Sequence, residues 1–177
     1  MSGATNTIIT ARAGKDLVDS VAAGLLTIGP RFGGAITAAG QYFLEGVQSG
    51  MEPAVFMNYK RVQSGPIISG IGHKVKSIYN PDRRCSLLLE HAATFSSTTY
   101  LAFAQAIEQL TTQKKPNLIL NVDGMIAALL LDMLTDLGYT QDRLKETIDS
   151  GLFNGFFVLA RTIGLIGHYA DQKRLGE

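Results

Sequence analysis

Asn121-Val122-Asp123-Gly124-Met125-Ile126-Ala127-Ala128-Leu129-Leu130-Leu131-Asp132-Met133-Leu134 is the stretch on which the fold class turns. Its apolar residues run together, so periodicity alone does not separate a buried strand from a buried helix. Length does, because buried strands stop at about eight residues and helices begin at about ten. A helix over 124–137 follows. Two apolar stretches, 125–134 and 152–167, invite comparison with membrane spans, but Asp132 interrupts the first and Asn154 and Arg161 the second. Neither reaches about 18 uninterrupted apolar residues, so both are expected to be buried helices.

The rest of the chain is read outward from this helix. Residues 15–28 carry Leu17, Val18, Val21, Ala22 and Leu25, with Asp16 and Asp19 at the favourable N-terminal end and Gly29-Pro30 as a stop. Ile36, Ala39, Phe43 and Val47 have helical spacing, closed by Gly50. Pro53 suits the first turn of a short helix through Val62, and Asn80-Pro81-Asp82 is a turn and cap that opens a helix containing Leu87, Leu88 and Leu89. Further helices are expected over 100–110, 141–148 and, buried, 153–165, whereas 66–77 reads as a loop. Thr7-Ile8-Ile9-Thr10 and Leu118-Ile119-Leu120 are the extended candidates, and both are too short to decide. The expected fold is all-α.

A chain of 177 residues, 46% hydrophobic and 18% charged, can bury one sizeable core, and its length favours a single domain over 1–177. A net charge of +1 speaks against nucleic-acid or membrane-surface binding driven by bulk electrostatics, so any anion site must be local. The single cysteine, Cys85, cannot form an internal disulfide, and residues 1–7 have neither a basic nor an apolar region of signal-peptide type. A cytoplasmic location is the default expectation.

Chemistry concentrates in Gly70-Ile71-Gly72-His73-Lys74-Val75-Lys76-Ser77, in Arg84, and in Asn121-Val122-Asp123-Gly124. Gly70 and Gly72 remove side-chain bulk, so backbone amides can approach a ligand while the His73 imidazole projects toward it. Histidine exchanges protons near neutral pH, although a loop histidine without a task is the commoner meaning of so short a pattern. Asp123 follows apolar residues at a helix start, where it is either an N-cap or a carboxylate whose apolar surroundings let it move protons to and from carbon. Arg84 and Arg161 each offer a fork that fits a carboxylate, with pairing to an internal acid as the alternative for an arginine inside an apolar helix. Lys115, beside Lys114, is by itself a solvated charge pair.

These motifs, together with Arg31-Phe32-Gly33-Gly34-Ala35, the run from Lys114 to Gly124, and Gly167-His168-Tyr169 with Asp171-Gln172-Lys173-Arg174-Leu175, resemble the citrate synthase superfamily. Within it they are most similar to the citryl-CoA-cleaving C-terminal module of ATP-citrate lyase. The resemblance implies an all-α fold and an acyltransferase that cleaves citryl-CoA to acetyl-CoA and oxaloacetate. It makes His73 and Asp123 the catalytic pair and Arg84 and Arg161 the ligands of the substrate carboxylates. It also places Gly70, Ile71, Gly72 and Lys115 against coenzyme A. No metal is implied at this step, ATP and magnesium acting in other modules. The implied partners are citrate, oxaloacetate, CoA thioesters, a second or further copies in a homodimer or homotetramer, and the remaining lyase modules.

Phe32 separates two activities within the resemblance. True citrate synthases carry there the histidine that enolises acetyl-CoA, and a phenyl ring cannot move that proton. Three family features are missing from this sequence: Thr5 stands where a second histidine is expected, and neither the upstream Asp-His-Gly-Pro segment nor the tail arginine that reaches a neighbouring subunit is present. A fragment or truncated relative is therefore expected, with a true synthase or a non-catalytic assembly unit as the alternatives.

Overall fold

The computed structural model describes residues 2–29 and 33–176. Among these are nine helices: α1 (Ser2–Arg12), α2 (Leu17–Leu25), α3 (Ala35–Gln48), α4 (Pro53–Ser64), α5 (Arg83–Ala92), α6 (Thr99–Thr112), α7 (Val122–Asp136), α8 (Gln141–Asp149) and α9 (Phe153–Arg174). The described residues contain no strand, and the all-α expectation holds. Of the two extended candidates, Thr7-Ile8-Ile9-Thr10 is part of α1, with Thr7 and Ala11 buried. Leu118-Ile119-Leu120 is extended but contributes only one isolated antiparallel bridge, Leu120 to Ile71.

The chain folds into two compact units, residues 35–153 and the two chain ends, 1–34 with 154–177. In the first, α7 is the central helix, packed against α3, α5, α6 and α8. Its run from Ala127 to Asp132 is buried throughout, so the apolar stretch is a core helix. Phe43, Phe56, Ile107, Leu131, Leu144 and Ile148 fill the interior around it, and Phe56 stacks edge-on between Tyr42 and Phe103.

Asp132, the charge that interrupts the stretch, is 1% exposed and accepts the Tyr100 and Leu101 amides, both at 2.9 Å. Thr98, the N-cap of α6, makes no side-chain capping bond, so Asp132 supplies from a neighbouring helix the acceptor that α6 lacks locally. Burial still raises its pKa.

In the second unit α1 packs on α2. Gly24 permits the approach: a Cβ there would come within 2.7 Å of Leu165 Cδ1 and 3.0 Å of the Gly3 carbonyl. Arg12 Nε donates to Gln172 Oε1 at 2.9 Å and ties α1 to α9. The last helix departs from expectation twice. It runs nine residues beyond 165, through Gly167 to Arg174, and it is not buried. Phe156, Leu159, Ile163 and Ile166 are 46%, 61%, 65% and 42% exposed, a stripe at alternating spacings of three and four.

Candidate active site

The loop carrying His73 is stitched to the segment that leads into α7. Gly72 N donates to Ile119 O at 2.7 Å, His73 N to Asn117 O at 2.9 Å, and Asn121 N to Gly70 O at 2.9 Å. Side chains add to this: Asn117 Nδ2 donates to His73 O at 3.1 Å and Asn121 Nδ2 to Gly72 O at 2.9 Å. Gly70 is indispensable to the approach, since at φ +85° a Cβ would lie 2.7 Å from Gly124 Cα and 2.9 Å from Ala39 Cβ. The amides of Ile71 and Gly72 are engaged internally, on Ile68 O and Ile119 O. The glycines therefore act here by shape, letting two backbones touch.

His73 is oriented by its own turn. Nδ1 accepts the Val75 amide at 3.0 Å and the Lys76 amide at 2.9 Å. A nitrogen that accepts two N–H groups carries no proton, so the ring proton of the neutral imidazole sits on Nε2. The outward-facing atom is a donor.

Asp123 lies in the first turn of α7 and is half-buried. The N-cap of that helix is Asn121, whose Oδ1 accepts the Asp123 and Gly124 amides at 3.0 and 3.1 Å. Capping is thus done by a neighbour, and the Asp123 carboxylate stands at the positive end of the helix. Asp82, 6% exposed, caps α5 and takes the Nε/Nη2 edge of Arg84 in a fork of 3.0 and 2.7 Å. The Arg84 side chain is 62% exposed, and only its Nε and Nη2 are engaged by Asp82, which leaves Nη1 and the second Nη2 hydrogen outside this fork. The Arg84 hydrogen bonds hold Asp82 down at about 2, against the raising effect of burial. Charge reaches across the group: His73 acts on Asp82, and Asp123 on Arg84. Burial and the Asp82 charge push the half-buried Cys85 thiol up to about 11, which keeps it in the unreactive protonated form.

The remaining expected residues are Lys115, Arg161 and Phe32. Lys115 is exposed and lines, with Lys114, Lys60 and Arg61, a cavity of 530 Å³ that also touches Tyr42 and Thr111. Arg161 belongs to the unit formed by the chain ends. It is half-buried, lies over the Phe157 ring at 5.1 Å, and lines a 340 Å³ cavity with Gly24, Gly164 and His168. Aromatic stacking thus replaces the expected internal acid as its support. Phe32 lies outside the described residues. Asn117, Asn121 and Asp82 were not singled out by sequence reasoning as parts of the site, although an asparagine opening an apolar helix is a cap signal.

A helical fold with a histidine turn clamped to an aspartate-bearing helix start defines a citrate-synthase-like protein. The family model for the citrate synthase C-terminal domain matches residues 2–177, and the chain belongs to the citrate synthase family. It is 54% identical over 177 residues to the ATP-citrate synthase of Homo sapiens, across 99% of this chain and 16% of the relative's length. Among solved structures, ATP citrate lyase from Methanothrix soehngenii in complex with citrate and coenzyme A is similar with a TM-score of 0.93 at 49% identity, covering 99% of this chain and 29% of that one. Citryl-CoA lyase from Hydrogenobacter thermophilus is similar at 0.77 and 28%, covering 97% and 62%.

Proposed function

We propose that this chain cleaves citryl-CoA to acetyl-CoA and oxaloacetate, the carbon–carbon bond-breaking part of the ATP-citrate lyase reaction. The observation that carries the reading is the clamp, which sets a histidine of fixed tautomer against the helix start that bears Asp123. The likeness to an ATP citrate lyase solved with citrate and coenzyme A, and to a citryl-CoA lyase, supports it.

The reaction moves one proton from the citryl hydroxyl oxygen to the carbon that becomes the acetyl methyl group, while the electrons of the broken bond form an enolate. Nδ1 of His73 is committed to two amides, so the imidazole serves as an Nε2–H donor that stabilises charge on the citryl hydroxyl oxygen as it becomes the oxaloacetate carbonyl. Asp123 is then the group that takes the hydroxyl proton and returns it to carbon. Arg84, through its outer fork, and Arg161 hold the free carboxylates. Lys115 and the cations around its cavity receive the CoA phosphates, with Gly70, Ile71 and Gly72 shaping the path of the thioester. No metal takes part, and ATP and magnesium act in other modules of the lyase.

The protein works as a homo-oligomer in the cytoplasm. The α9 stripe supports the first statement, because four large apolar side chains at coiled-coil spacing gain stability only when covered. A free thiol at Cys85 suits the second.

The test is cleavage of citryl-CoA followed through oxaloacetate, reduced by malate dehydrogenase at the expense of NADH. Asp123→Asn should lose at least about a hundredfold in rate while remaining folded. Activity within about tenfold of wild type refutes the assignment, a difference of only about 1.4 kcal/mol in barrier. If acetyl-CoA and oxaloacetate condense faster than citryl-CoA is cleaved, the synthase reading replaces this one.

A further inference from the structure

We infer that Asn121 is a positioning residue that fixes His73 relative to Asp123, one bracket joining the two catalytic elements. Its side chain is used at both ends. Oδ1 accepts the Asp123 and Gly124 amides at 3.0 and 3.1 Å and so fixes the first turn of α7. Nδ2 donates to Gly72 O at 2.9 Å, on the residue immediately before His73. Its backbone N–H holds Gly70 O at 2.9 Å, which closes the ring of contacts around the glycine turn.

The chemistry requires an amide at this position. An N-cap needs only an acceptor, and aspartate or serine would serve as well. The bond to Gly72 O needs a donor on the same side chain, and the asparagine carboxamide presents an acceptor and an N–H donor on one terminal carbon, directed to opposite sides. The cap alone therefore does not account for asparagine here. The consequence reaches function because hydrogen bonds joining the two segments run through backbone groups and through the Asn117 and Asn121 side chains. A displacement of about 1 Å between acid–base groups costs on the order of a hundredfold in rate.

This inference rests on the lyase reading only for its activity arm, and the experiment separates the two. Asn121→Asp keeps the cap and replaces the donor by a carboxylate oxygen facing the Gly72 carbonyl. Asn121→Ser keeps a capping acceptor without adding charge and draws its only donor, the hydroxyl, back to Cβ and short of the Gly72 carbonyl, so it carries the test if the aspartate variant fails to fold. Amide hydrogen exchange on the whole chain is the first readout. Exchange at Gly72 and His73 should quicken at least about tenfold, while Asp123 and Gly124 stay protected. The second is citryl-CoA cleavage, where kcat should fall about a hundredfold with KM changed by less than about threefold. Unchanged exchange at Gly72 and His73 in a folded variant overturns the bracket. So does a kcat close to wild type. If wild type shows no cleavage but exchange changes as expected, the bracket stands as geometry and the lyase reading falls.

Discussion

Replacing Gly70 by alanine tests whether close contact between two backbones builds the site. Two costs arise. The first is conformational, since φ is +85° and a side chain in that region costs roughly 1–2 kcal/mol, reduced by the roughly 0.4–1 kcal/mol that alanine gains by stiffening the unfolded chain. The second is steric: the new Cβ would lie 2.7 Å from Gly124 Cα and 2.9 Å from Ala39 Cβ. Neither atom can move away by changing rotamer, so overpacking of about 2–3 kcal/mol is expected, in the upper half of the usual range. Gly138 provides the control, with φ +83° and nothing within 4 Å of a Cβ. Gly138→Ala carries the first cost alone. Urea unfolding of both variants should therefore place Gly70→Ala about 2–3 kcal/mol below Gly138→Ala, with citryl-CoA cleavage reduced only in the former. Equal stabilities within about 0.5 kcal/mol would show that the two backbones have room to part, and the role given to glycine at 70 would be wrong.

Two other perturbations reach separate parts of the molecule. Asp82 is held down at about 2 by Arg84, so its stabilising contribution is complete above the ordinary carboxylate pKa of about 4 and disappears as pH falls toward about 2. Arg84→Gln should move the Asp82 titration, followed by carboxyl NMR, upward toward that ordinary value; an unmoved titration would assign the depression to some other group. On α9, Ile163→Asp places a charge in the middle of the apolar stripe and should convert the proposed oligomer to monomer by light scattering with little change in urea midpoint. A mass that does not change would remove α9 from the interface.

The helices were legible in the sequence wherever an apolar run met a cap or a breaker. Asp16 caps α2 by accepting the Asp19 amide, Asp82 caps α5, and Pro53 opens α4. Residues 7–10 were undecidable in sequence because β-branched Thr7, Ile8 and Ile9 have strand propensity; packing of α1, with Thr7 and Ala11 buried, against α2 decides for helix, a tertiary override of local preference. His73, Arg84 and Asp123 were legible as residue types, but their geometry was not. Nothing in the order of residues states that His73 Nδ1 accepts two amides, or that Arg84 already gives one edge to Asp82, because both facts depend on how a turn closes. Asn121 was visible only as part of a motif, since its second bond is to a residue 49 positions away.

The misreading of α9 has a different cause, and it bears on function. Hydrophobic content records how much apolar surface a helix carries, not which surface covers it, so a core helix and an interface helix read alike. The two helices differ in exposure: α7 buries its apolar residues within its own unit, whereas α9 buries Phe153 and Leu165 and leaves a stripe outward. Arg161 stands on that same helix, stacked on Phe157. If a second copy covers the stripe, the helix that carries Arg161, the carboxylate ligand proposed above, is also the helix that assembly orders, and substrate affinity should then depend on protein concentration. Citrate binding measured above and below the dissociation range of the oligomer decides the point: constant affinity would mean that α9 holds Arg161 in place without a partner.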